Sequence, residues 1–248
     1  MSEGWRALAD ELRVWRDSAT TATLWWRDDD AASPNAALLR LLSLEKSSGV
    51  PLALAVIPEL AQGEAIAGAR HVIMHGCDHR NRAAAGEKKT EFPASESDAG
   101  TIARLAAARD RLHGLTGERF LPVLAPPWNR LRESLVERLP EAGIRGLSRY
   151  GARGRSGAAV REVNTHVDIV AWRGDRGFVG EDAALALLLQ HLAARRRGSV
   201  DASEATGLLT HHAQHDSGAW HFLERLFDET RRHGAAWADP RELFASTC

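Results

Sequence analysis

Three carboxylates in succession, Asp28-Asp29-Asp30, close the apolar, aromatic stretch Leu24-Trp25-Trp26-Arg27. Adjacent like charges push one another's pKa up and cost stability, so such a run at the end of a strand-like segment calls for a cation, either a metal ion or an arginine cluster. An isolated Asp-rich turn is ordinary surface punctuation. Here histidines further along the chain alter that reading. His75 and His79 stand four apart, and on one helical turn their Cβ atoms would lie roughly 5–6 Å from each other. His211 and His212 follow another apolar run, Gly207-Leu208-Leu209-Thr210. Two imidazoles with one carboxylate are an established set for a catalytic zinc, with a further position open to water. The expected cofactor is therefore one divalent ion, Zn2+ in the first instance.

The elements that must position these residues alternate between strand and helix. Trp5, Leu8, Leu12 and Trp15 recur at helical spacing and predict an amphipathic helix over 3–16. A strand over 22–27 ends at the aspartates. Ser33-Pro34 predicts the start of a helix bearing Leu38, Leu39, Leu41 and Leu42. The apolar run 52–57 suits a strand covered on both faces, and 71–74 is a third strand, delivering His75, Asp78 and His79 into a loop. Residues 80–94 form a solvated loop. Ser95 and Asp98 resemble a capping box for a helix ending at Gly117, and a strand over 120–124 leads to Ala125-Pro126-Pro127-Trp128-Asn129. A helix over 130–139, a strand at 144–148, a flexible loop at 151–157 and a strand centred on Val167 follow. Last come a helix over 183–194, the strand before His211, and helices over 217–232 and from Asp239-Pro240 onward. Alternation of this kind predicts a parallel sheet, open or closed into a barrel, with the polar residues gathered at the carboxyl ends of its strands.

The 248 residues carry 32 basic and 33 acidic groups, a formal charge of -1 that gives no case for nucleic acid or an anionic membrane as partner. A small-molecule partner is expected instead. No cationic start with an apolar block opens the chain, no run approaches the ~18 apolar residues of a membrane span, and Cys77 and Cys248 do not suggest a disulfide framework. These features predict a cytoplasmic protein with a single domain over 1–248.

The ordered set Arg27-Asp28-Asp29, His75-Gly76-Cys77-Asp78-His79, Ala125-Pro126-Pro127-Trp128, Asp168-Ile169-Val170-Ala171-Trp172 and Leu209-Thr210-His211 resembles the five motifs of the NodB-homology polysaccharide deacetylases, carbohydrate esterase family 4. The resemblance spans about residues 22–212, and its specificity lies in the ensemble of short motifs. It implies an α/β fold, a distorted (β/α) barrel with fewer than eight strands, and metal-dependent removal of an acyl group from an N-acylated sugar. Carried over by position, it makes Asp28 the general base and His211 the general acid. Asp29, His75 and His79 become the metal ligands, and the backbone N–H near Trp128 an oxyanion donor. Asp168 either orients His211 or caps a loop. Trp128 and Trp172 either offer a sugar-stacking surface or pack in the core, and His212 is an alternative acid. One of Trp25 and Trp26 is expected in the core and the other beside the pocket.

The departures from the family pattern are informative. Ala125 stands where an arginine is usual, Ala171 where an aspartate is, Gly76 where a serine or threonine is, and Asp30 where glycine is. Without that arginine, Asp28 is expected to have a raised pKa unless Arg27 or Arg130 reaches in. Two rival readings accompany the deacetylase one: a hydrolase of a small cyclic amide or ureide, and a catalytically silent binder of metal or sugar. Bound zinc, and loss of turnover when the base is replaced, would separate them.

Overall fold

The computed structural model describes residues 2–153 and 159–245; most of the expected 151–157 loop and Cys248 lie outside them. The described elements in chain order are α1 (Glu3–Asp17), β1 (Thr23–Ala31), α2 (Ala36–Ser48), β2 (Leu52–Val56), β3 (His71–His75), α3 (Asp98–Thr116), β4 (Phe120–Ala125), α4 (Glu133–Val136), β5 (Gly146–Leu147), β6 (Arg161–Glu162), β7 (Val167–Asp168), α5 (Glu181–Arg196), β8 (Thr206–Thr210), α6 (Ser217–Arg232), β9 (Ala236–Trp237) and α7 (Pro240–Leu243). The strands form one parallel sheet in the order β6-β5-β4-β3-β2-β1-β8-β7, with β9 added to the start of β1. β6 and β7 are two pieces of one segment. Thr165 N–H bonds the Arg149 carbonyl on one side, and His166 N–H bonds the Gly207 carbonyl on the other, so the sheet curls into a distorted (β/α) barrel.

Alternation along β1 sorts its side chains between two cores. Trp25 points inward and packs with Ala53, Ala55, Ile73, Val123 and Ala125, while Leu24 and Trp26 point outward into the layer beneath the helices. The interior is narrow, which explains its small residues. A Cβ at Gly207 would lie 2.5 Å from both the Asn164 carbonyl oxygen and the Trp25 indole nitrogen. Both tryptophans are fully buried, so neither lines a pocket as expected. Toward the carboxyl ends the inward positions turn polar: Arg27 and Asp29 follow Trp25 on β1, and His75 follows Ile73 on β3. The charged site is the open end of an apolar barrel.

The helices wrap the outer face. α1 buries Trp5, Leu8, Leu12 and Trp15, as its spacing predicts, and Trp5 meets Phe222 of α6 at 5.8 Å between ring centroids. α2 starts later than Ser33-Pro34 predicts: Asn35 is the cap, its side chain accepting from Leu38 N–H at 2.8 Å. For α3 the cap is Ser97, not Ser95. The expected 130–139 helix is only the single turn α4 followed by a 3-10 turn, because Pro140 interrupts it. No helix among the described residues is long and apolar enough to cross a membrane.

Candidate active site

Arg27 and Asp29, both inward-facing on β1 and fully buried, form a two-point ion pair. Arg27 Nη2 donates to Asp29 Oδ2 at 3.0 Å, and Arg27 Nε lies 2.9 Å from Oδ1. The guanidinium is itself fixed by the Ser148 hydroxyl and carbonyl, at 2.6 and 2.9 Å, and by Asn129 Oδ1 at 2.9 Å. A charge-assisted, two-pronged contact of this kind fixes a carboxylate in orientation as well as charge. Arg27 thus brings a guanidinium to Asp29, while Ala125 is packed in the apolar interior. Arg130 does not reach in; it bonds the Lys89 carbonyl outside the site.

Asp30, not Asp29, meets the histidine pair. Its Oδ1 lies 3.1 Å from His75 Nε2 and 3.2 Å from His79 Nε2, yet it is buried and makes no hydrogen bond. These three side chains form a group able to hold a metal ion. Donors about 2.0–2.2 Å from a tetrahedral ion lie roughly 3.3–3.6 Å from one another, close to the 3.1 and 3.2 Å from Asp30 Oδ1 to the two imidazole nitrogens. His75 Nδ1 faces the Ala125 carbonyl oxygen at 3.0 Å. A carbonyl can only accept, so the ring proton sits on Nδ1 and Nε2 keeps its lone pair for an ion. The residues fit a divalent ion.

The expected helical turn from His75 to His79 is absent. Gly76 and His79 both take left-handed backbone conformations, at φ 65° and 57°, and the loop between them folds the second imidazole back over the first. Their ring centroids are 5.0 Å apart.

Asp28, expected as the general base, lies on the outer face of β1, as alternation from Asp29 requires. It is fully buried, and its oxygens accept from Thr210 Oγ1 at 2.6 Å and from the His212 backbone N–H at 2.9 Å, with His212 Nδ1 at 2.6 Å. The expected upward pKa shift is reversed: burial pushes it up, but His212, His215 and Thr210 hold Asp28 below the carboxylate range. Asp28 therefore pins the loop after β8, and His212 is its partner. This same loop presents His211, whose Nε2 lies 4.0 Å from Asp29 Oδ2.

Asp168 makes no hydrogen bond to His211. It accepts from Val170 N–H at 3.0 Å and from the Trp172 indole N–H at 2.7 Å, capping its own loop and setting the Trp172 ring edge-on against His211 at 4.7 Å. Trp172 is exposed, and Trp128 sits opposite, 4.6 Å from the His79 ring. Neither is core. Trp128 and Asn129 both have positive φ, 56°, and Asn129 is the residue that holds Arg27. Arg27's anchors Ser148 and Asn129 carry no chemical motif of their own in the sequence, their one signal being that both follow strand ends, and Glu91 carries none either.

A second cluster, His166, His191 and Glu204, lies between α5 and β8. Its imidazoles stack at 3.5 Å. The Gly207 N–H donates to His166 Nδ1 at 3.0 Å, which places the ring proton on Nε2, aimed at Glu204 Oε1 3.5 Å away. A protonated Nε2 does not ligate a metal, so this is a buried polar contact between helix and sheet.

The sequence matches no family model and no curated protein. Solved structures do resemble it. A peptidoglycan N-acetylglucosamine deacetylase superposes with a TM-score of 0.58 at 15% identity, over 93% of this chain and 95% of its own. A Mycobacterium smegmatis protein assigned as a polysaccharide deacetylase superposes with a TM-score of 0.64 at 14% identity, over 90% and 89%. A CE4-family pseudoenzyme from Bacillus anthracis gives 0.58 at 15% identity, over 91% of this chain and 66% of that one. The fold is that of the carbohydrate deacetylases. More particularly, it is the distorted (β/α) barrel of the NodB-homology type.

Proposed function

We propose that this chain is a divergent polysaccharide deacetylase-like hydrolase that uses one divalent ion, zinc in the first instance, to remove an acyl group, N-acetyl foremost, from a carbohydrate or a smaller acylated molecule. The observation that carries the reading is the buried Asp30 oxygen without a hydrogen-bond donor between two imidazole nitrogens, beside a second carboxylate already neutralised by Arg27. Asp30, His75 and His79 would hold the ion, and when bound it would supply Lewis acidity for the acyl oxygen and acidify a water.

The chain's own residues supply the rest. Asp29, locked by Arg27, accepts the proton of the attacking water through its carboxylate. His211 lies across a gap of 4.0 Å from that oxygen and delivers a proton to the departing amine nitrogen. Water's two parts thus end on the acyl carbon and the leaving group, and the products are a free acid and an amine. The Trp128 backbone N–H donates to the developing oxyanion. Trp128 and Trp172 offer apolar faces on either side of the cluster, suited to the C–H face of a sugar ring.

A pseudoenzyme shares the fold, so the fold alone does not distinguish a catalyst from a silent binder. Restoration by Arg27 of a guanidinium at the base favours the catalyst. The test is release of acetate from N-acetylglucosamine oligomers by zinc-loaded protein. The expected result is turnover that a chelator abolishes and added zinc restores. Chelator-resistant turnover would contradict the metal-dependent reading, and binding of the oligomers without turnover would favour the silent binder.

A further inference from the structure

Glu91 lies in the 80–94 segment, which its composition marks as solvated loop, yet its carboxylate is fully buried. Oε1 accepts from the backbone N–H groups of Cys77 at 2.9 Å and Asp78 at 3.2 Å, and Oε2 accepts from that of His79 at 3.2 Å. Arg104 of α3 balances the charge, donating from Nη1 to Oε1 at 2.9 Å and from Nη2 to the Glu91 carbonyl at 3.2 Å. One side chain therefore satisfies three successive N–H groups in the loop that carries His79.

Gly76 completes the arrangement. A Cβ there would collide with Glu91 Oε2 and lie 2.7 Å from the Pro127 ring, and the φ of 65° is one that side chains with a Cβ resist. The carboxylate fills the space that a side chain at 76 would take. His79 likewise holds a left-handed φ of 57°, a conformation that is strained for an L-residue with a side chain and needs support from its surroundings.

We propose that Glu91 is the positioning residue of the metal centre, holding the 76–79 loop so that His79 Nε2 meets Asp30 Oδ1 before an ion arrives. The inference rests on the metal reading of the Asp30, His75 and His79 cluster. It gives Gly76 and Glu91 one joint role: the missing Cβ at 76 leaves room for the carboxylate that satisfies the three N–H groups of the loop.

The test is zinc affinity, by competition with a chromophoric chelator, and the visible spectrum of the cobalt(II)-loaded protein, for wild type, E91Q, H79A and D30N. E91Q keeps shape but puts a donor where N–H groups need an acceptor. It is expected to bind zinc about 10–100-fold more weakly than wild type, with a cobalt spectrum like that of H79A. A purely structural glutamate would lower the melting temperature and leave the spectrum unchanged, and that result overturns the proposal. Amide hydrogen exchange on metal-free wild type does not depend on E91Q folding. The amides of Cys77, Asp78 and His79 are expected to be protected, and exchange at free-loop rates also overturns it. If wild type binds no zinc, the metal reading itself falls and this role with it. If binding is lost in D30N but untouched in E91Q, only the role of Glu91 falls.

Discussion

Asp29→Asn is expected to lower kcat by about 10²–10⁴-fold, the range over which a positioned general base contributes, while zinc stays bound. The asparagine keeps the size of the carboxylate and one acceptor for Arg27 Nη2, but it cannot take a proton from water. Its Oδ2 counterpart is the atom 4.0 Å from His211 Nε2, so the substitution disables one half of a proton-moving pair and leaves the other half in place. Single-turnover acetate release at saturating substrate checks it. A variant that keeps wild-type turnover would transfer the role of base elsewhere; Asp28, buried on the opposite face against His212 and Thr210, has no path to the substrate side without breaking those bonds.

Arg27→Met is expected to cost about 3–5 kcal/mol of stability, because it removes one member of a buried ion pair and leaves Asp29 charged and unmatched. For a chain of this size that corresponds to a fall in Tm of roughly 6–20 °C. Arg27 also carries the Ser148 and Asn129 contacts, so its loss frees the turn that positions Trp128. The double variant with Asp29→Asn discriminates between mechanisms. Removing the orphaned charge should recover part of the lost stability, measured by thermal melting without substrate, whereas simple additivity of the two losses would show that the ion pair is not what Arg27 supplies.

Much of the architecture was legible in the sequence because local signals and tertiary packing agree. α1, α5, α6 and strands β2, β3 and β8 have apolar patterns that mean the same thing alone and in the barrel. The caps of α2 and α3 were misplaced by two residues each, where several Ser, Asn and Pro residues compete for one role. Of the two-residue strands, β5 and β7 fall within the strands expected at 144–148 and around Val167, whereas β6 and β9 leave no period to detect. Asp28, Asp29, Asp30, His75, His79 and His211 all lie at or just after strand ends, as their positions imply, but Asp30 rather than Asp29 lies against the histidine pair, and the roles proposed for the three aspartates move by one residue with it. The cause is physical. β1 continues to Ala31, not Arg27, and its register with β2 breaks between Asp28 and Ala31 where Asp30 adopts φ 70°. In a regular strand Asp28 and Asp30 would share the outer face. The irregularity swings Asp30 to the rim, so that three adjacent carboxylates serve three different partners: His212, Arg27 and the histidine pair.

The same break explains why three like charges are tolerated. Asp28 is matched by His212, Asp29 by Arg27, and Asp30 alone is left facing two imidazoles with an oxygen that has no donor. Arg27 supplies from within β1 the positive charge that Ala125 cannot, an exchange that the sequence allowed but could not fix, since it depends on which face of the strand Arg27 shares with Asp29.

The most direct measurement is zinc stoichiometry by equilibrium dialysis of wild type, Asp29→Asn and Asp30→Asn, each shown to be folded by thermal melting. One ion bound by wild type and by Asp29→Asn, with none retained by Asp30→Asn, is the predicted result. Retention by Asp30→Asn with loss in Asp29→Asn, or no zinc on any of the three, would contradict the account.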